Sequence, residues 1–193
     1  ALLSQVAGAL AAFRAALLWA ILFSAAVVAF TLAFPEEAGR AIVRGELYRA
    51  EMFAWIETGV GKEGSLRLFL PEHTLHLAGF ALLAVASGGY LGLALGAALL
   101  AYMNFFVASL AAASGDRWTA GLTAWFPWSV SRVLAFIALG VLLARPLLRR
   151  GPWPYEARHV RWWALAALGI AADVGLKVAL APAFRERLLE LMR

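Results

Sequence analysis

The sequence predicts an all-α polytopic membrane helix bundle, with about five transmembrane helices and one interfacial amphipathic helix. Three observations predict it. Hydrophobic residues make up 63% of the 193 and charged residues only 15%, whereas a soluble globular domain is nearer half apolar and a quarter charged. Mean hydropathy is +0.78, which leaves too few polar side chains to cover a water-facing surface. The apolar residues also gather in runs that reach the roughly 20 residues needed to cross about 30 Å of hydrocarbon. A disordered tail, a soluble enzyme domain and a nucleic-acid binder are thereby excluded. At this length the chain reads as one membrane domain over 1–193. With no cysteine, it has no disulfide framework, thiolate metal site or Cys nucleophile.

The net charge of +5 fits the same solvent. The basic residues are mostly arginines at the ends of apolar runs, where each gains about 1 kcal/mol against anionic headgroups. The first long apolar run, Val6 to Phe34, lacks the basic flank, short core and small-residue cleavage site of a signal peptide, so it is expected to be a retained span. Arg14 is expected to snorkel towards one end, which sets the span at about 15–34, closed by Pro35. Residues 35 to 71 are too charged to cross. Ile42, Leu47, Met52 and Ile56 recur there at roughly helical spacing among Glu36, Arg40, Glu46, Arg49, Glu51 and Glu57, which predicts one interfacial helix at about 36–58 or an ordinary extramembrane helix packed on the bundle. Gly59, Gly61 and Gly64 then mark a turn.

Pro71 opens the next apolar stretch, with Glu72 and Thr74 suited to a first helical turn. The stretch is too long for one span. Ser87, Gly88 and Gly89 are a natural reversal, because glycine accepts the backbone angles that a turn needs. The expectation is a helical hairpin with spans at 72–87, the shorter, and 91–113. A polar loop follows at Ser114 to Arg117, then Trp118, Trp125, Phe126 and Trp128 as an interfacial aromatic belt. The fourth span is expected at 127–148, a basic aromatic loop at 149–161, and the last span at 162–181, ended by Pro182, with a short amphipathic tail. Alanine and glycine throughout the spans permit close helix packing. Basic residues fall on both sides of this arrangement, so orientation is not assigned.

Polar side chains inside spans carry the functional information, since helices satisfy their own backbone groups. The expected intramembrane cluster is Asn104, Arg132, Asp173 and Lys177. Asp173 and Lys177 lie four apart on one helical face, the acid nearer the N-terminus, which favours an ion pair. Asn104 sits mid-span, where an amide bonds across helices for about 1 kcal/mol. Arg132 meets a headgroup, or an acid such as Asp173 inside the bundle. Glu72-His73-Thr74-Leu75-His76 puts two imidazoles on one face, but it lacks the order of zinc hydrolases, whose acid lies between the ligands. No metal, cofactor or catalytic residue is expected. Ala86-Ser87-Gly88 and Ala113-Ser114-Gly115 faintly resemble the serine motif of rhomboid proteases. Such a serine needs a later basic partner. The only later histidine is His159, expected in a loop, so an intramembrane protease is the remotest reading.

The block from Leu75 to Ala111, with Gly88-Gly89, Gly92 and then Leu99-Leu100-Ala101-Tyr102-Met103-Asn104, resembles the stage II sporulation protein M family of small membrane proteins. Two positions depart from that family's pattern. Arg132 stands where members tend to carry a Glu, and Lys177 stands at the spacing from Pro182 where they tend to carry an acid. The resemblance implies an integral protein of the cell membrane and envelope, without enzyme activity, that assembles with other membrane proteins. The functional expectation is a non-enzymatic scaffold or permease-like subunit, whose partners are the lipid bilayer and other membrane proteins or a second copy, with no nucleic acid. The alternative is a small transporter or channel with an intramembrane polar path. A water-filled cavity reaching Asp173 and Lys177 favours transport, and a dry, tightly packed core favours the scaffold.

Overall fold

A computed structural model describes residues 2–149 and 160–193, with side chains for 9–143 and 160–193. The expected 149–161 loop therefore lies almost wholly outside the described residues. Every element among them is helical: α1 (Leu2–Ala33), α2 (Pro35–Ala41), α3 (Gly45–Thr58), α4 (Leu66–Ala86), α5 (Tyr90–Ala113), α6 (Arg117–Ala124), α7 (Pro127–Arg149) and α8 (Val160–Leu191). Four helices, α1, α4, α5 and α8, are long and apolar enough to cross a membrane. The pair α6–α7, bent by 50°, makes up to five. The all-α bundle expected from composition is the fold, and the chain is a multi-pass membrane protein by the length and apolarity of these helices.

Helix direction defines two faces. α1 ends, α4 begins, α5 ends, α7 begins and α8 ends on the face that carries α2, α3 and α6, called here the α3 face. The Gly88–Gly89 reversal lies on the opposite face. Both glycines have positive φ, 65° and 104°, as a tight turn between helices requires. α1 packs on α5 and α7, and α4 also packs on α5 and α7. These four helices form a ring, with α1 and α4 on opposite sides. α8 lies outside the ring along α7. Gly169 of α8 makes that approach possible: a Cβ there would stand 2.8 Å from Ala135 Cβ and 3.1 Å from Ser131 O.

Several boundaries differ from expectation, each for a physical reason. The interfacial helix is two pieces, because Gly45 is buried against Phe105 of α5. Its Cβ position is 3.2 Å from that ring, and Arg44 takes a left-handed conformation, φ 62°, to bring it there. α4 begins at Leu66 rather than near 72, with Pro71 inside the helix. α8 runs through Pro182 to Leu191. Each proline removes one i→i−4 bond, but the helix persists because packing holds its far end. Phe69 is buried ahead of Pro71, and Leu188 is fully buried beyond Pro182. Arg185 fastens the α8 extension, its Nε donating to Trp55 O at 3.2 Å and Nη2 to Glu57 O at 2.8 Å. Those are carbonyls of the last turn of α3, where a cation is favoured. α6 is an added element. It is capped by Asp116, whose carboxylate accepts from Thr119 N at 3.1 Å and Thr119 Oγ1 at 2.6 Å.

The expected aromatic belt divides. Trp118 is 84% exposed, but Phe126 and Trp128 are buried and stack on one another at 4.5 Å. They belong to the main core, with Trp55, Phe106, Leu110 and Leu188.

Candidate functional site: a buried charge network beside an intramembrane cavity

The network begins at Asp173, which is fully buried in the middle of α8. Arg132, less than two turns into α7, reaches it from the neighbouring helix. Arg132 Nε donates to Oδ2 and Nη2 to Oδ1, both at 2.9 Å. This parallel fork is the strongest geometry available to a carboxylate and a guanidinium. His73 of α4 brings Nε2 to 3.0 Å from Oδ2, a close approach that lacks hydrogen-bond alignment. Three helices therefore meet on one carboxylate.

Lys177 lies one turn further along α8 and is 2% exposed. Its Nζ is 2.8 Å from Glu63 Oε2, an ion-pair contact that lacks hydrogen-bond alignment. It also sits 3.5 Å from the centroid of the Phe69 ring. The guanidinium carbon of Arg132 lies 5.3 Å from the same centroid, so one phenyl ring serves two cations. Such contacts strengthen when desolvated. Glu63 also accepts from Trp128 Nε1 at 3.0 Å. This bond explains why that indole is inside the protein, because a buried Trp N–H needs an acceptor.

Of the four sequence-predicted residues, Arg132, Asp173 and Lys177 belong to this network; Arg132 meets the acid Asp173, one of the two partners expected for it, but the expected Asp173–Lys177 pair is replaced. Asp173 and Lys177 each bind a residue from another part of the fold, Arg132 and Glu63 respectively. Helical spacing brought the two onto one face, and tertiary packing supplied better partners. Asn104 is fully buried in α5, and neither its Oδ1 nor its Nδ2 has a hydrogen-bond partner. Among the described residues no hydrogen bond joins it to the ion pairs. Glu63, His73 and Trp128 were not placed in the cluster from sequence. The available signal was Glu63 itself, an acid between two turn glycines and next to a span.

A second layer covers the network on the α3 face. Lys62 Nζ is 2.9 Å from Glu51 Oε2 and 2.6 Å from Glu72 Oε2, and Arg44 Nη1 is 3.7 Å from Glu72 Oε1. Partial burial by itself would lower the Lys62 pKa. The bonds from Glu72 and Glu51 outweigh that and raise it above its ordinary value. Burial pushes the Tyr48 phenol well up, with the Glu63 charge adding to the effect.

Beside the network lies a partly open cavity of about 480 Å³, lined by α1, α4, α5 and α7 with α3 at one end. Its charged and imidazole lining is confined to the α3 end: Arg44, Glu51, Lys62, Glu63, Glu72, His73, His76 and Arg132. Beyond Phe80 the walls are apolar or small, from Leu93 and Gly96 to Ile137 and Gly140, and they reach the Gly88–Gly89 turn, where the largely exposed Tyr90 is the one hydroxyl among them. Among the described residues no group of three or more His, Asp or Glu side chains converges as a metal site. No protein-family model matches the chain, and no curated protein or solved structure matches it. The resemblance to the stage II sporulation protein M family therefore stands on the residues quoted for it alone.

Proposed function

We propose that this chain binds a solute within the membrane, as a small transporter or as the permease-like subunit of one. The single observation that carries this reading is the cavity of about 480 Å³ whose charged end touches the partners of Asp173 and Lys177. A protein acting only as a scaffold gains nothing from such a void. Empty interior volume costs stability, and interiors are otherwise close-packed. Ligand sites in membrane and soluble bundles share this form, a mostly apolar recess with a few convergent polar groups. The ion pairs set the charged end rigidly. Each buried carboxylate and cation is balanced by another, so the site is held in place by attraction between four separate segments, α4, α7, α8 and the turn before α4.

The absence of cysteine gives a clean test. Val133 lines the cavity, whereas Ala138, on the same helix, is fully buried in packed core. With the protein in lipid nanodiscs, Val133→Cys is expected to react with a small water-soluble thiol reagent, and Ala138→Cys is not. Equal protection of both would mean a dry core and would return the scaffold reading.

A further inference from the structure

We infer that the ligand of this cavity is a single-chain amphiphile with an anionic oxygen head, a carboxylate or phosphate, whose head binds Arg132 and whose chain runs between the helices towards the Gly88–Gly89 turn. The inference rests on the solute-binding reading above and names the class of solute.

Two observations carry it. The first is the donor count at Arg132. A guanidinium has five N–H donors, and Asp173 takes one from Nε and one from Nη2. Three remain, and among the described residues none of them has a protein acceptor. Arg132 lines the cavity, with its side chain 25% exposed, whereas Asp173 lies behind it at 0%. The carboxylates on the same wall are already engaged: Glu63 with Lys177, Glu72 with Lys62 and Arg44, and Glu51 with Lys62. The spare donors of Arg132 call for an acceptor, and a planar guanidinium matches carboxylate and phosphate oxygens.

The second observation is that the charge on the cavity wall lies at one end only. The last ionisable residue of α4 on its wall is His76, and the wall continues to Gly88. The ten residues from His76 to the end of α4 at Ala86 make, at the helical rise, an apolar arm of about 15 Å before the turn, the reach of a long acyl chain. A small hydrophilic solute would leave that arm empty, and a purely apolar one would leave the Arg132 donors unanswered. At about 480 Å³ the cavity is sized for one chain.

The test uses the full chain in phosphatidylcholine nanodiscs with a palmitate analogue carrying a photoreactive group near its methyl end. Cross-links are expected on cavity-facing positions of α5 and α7, such as Leu93, Gly96 and Ile137. Excess palmitate or hexadecyl phosphate is expected to remove them, whichever competes better identifying the head, with hexadecanol weaker by about ten-fold or more, as loss of a charged hydrogen bond implies. Arg132→Gln combined with Asp173→Asn, which leaves neither charge alone, is expected to lower labelling about ten-fold. Gly96→Leu tests the arm without touching the charges. Its Cβ position has no neighbour closer than Phe80 Cε2 at 3.6 Å, so the side chain enters the cavity and labelling is expected to be lost. Equal competition by hexadecanol, cross-links only on outward residues such as Leu18 and Leu82, or full labelling of both variants would overturn the inference. If that happens while Val133→Cys still reacts, the ligand class is wrong and the solute-binding reading stands. If Val133→Cys is protected as well, both fall.

Discussion

Asp173 is the residue on which three helices depend, and its removal separates two effects. Truncating one member of a buried ion pair leaves the other charge uncompensated, at a cost of about 3–5 kcal/mol, whereas replacing both by apolar groups is often close to neutral. Asp173→Ala is thus expected to destabilise by about 3–5 kcal/mol, and Arg132→Met with Asp173→Leu by much less, measured by reversible unfolding in detergent micelles. A double variant no more stable than the single one would mean that the pair itself, rather than the stranded charge, holds the helices. The sequence pointed to Arg132, Asp173 and Lys177 because charged residues inside an apolar run need a reason to be there. It could not choose their partners. The i,i+4 rule sees one helix only, and Glu63 and His73 arrive from α4 and the turn before it. For the buried amide of Asn104, which has no hydrogen-bond partner, no physical account follows from the packing.

Among the elements, the added helix α6 depends on its cap. The two bonds from Thr119 hold the Asp116 carboxyl below its ordinary range, side-chain bond first. A depressed folded value means that the stabilisation is present above the unfolded pKa and is lost as pH falls through the folded one. Asp116→Asn is therefore expected to lower the melting temperature at neutral pH, with the gap to wild type closing below the usual carboxylate range. A gap that does not change with pH would contradict the assignment. The spans were legible because hydrophobic length is a property of the sequence. Pro71 and Pro182 were misread as boundaries because a proline reports a missing hydrogen bond, not whether flanking residues are packed well enough to carry the helix past it. Phe69 and Leu188 supply that packing. The break at Arg44 left no mark on the periodicity, since Gly45's neighbour Phe105 comes from a distant helix.

Across the molecule, helix adjacency decides whether a network or a cavity exists, and composition does not report adjacency. Two glycines on α8 show the difference. A methyl at Gly169 would meet Ala135 Cβ at 2.8 Å, while one at Gly175 has nothing within 4 Å. Gly169→Ala is expected to cost about 1–3 kcal/mol by overpacking and to loosen the α7–α8 seam that aligns Arg132 with Asp173. Gly175→Ala is expected to stabilise by up to about 1 kcal/mol through helix propensity. Unfolding of the two variants side by side checks both signs. From sequence the two positions look alike, small residues in one apolar run, six apart.

One side of the cavity is made by Ala12, Ala16 and Ala20 of α1, spaced four apart and all on its wall. Because these methyl groups set the bore, exchanging any of them for valine narrows the lumen and leaves every ion pair intact. The calibre of the chamber and the charge at its mouth are encoded on different helices, so the size of what enters can change independently of how it is gripped.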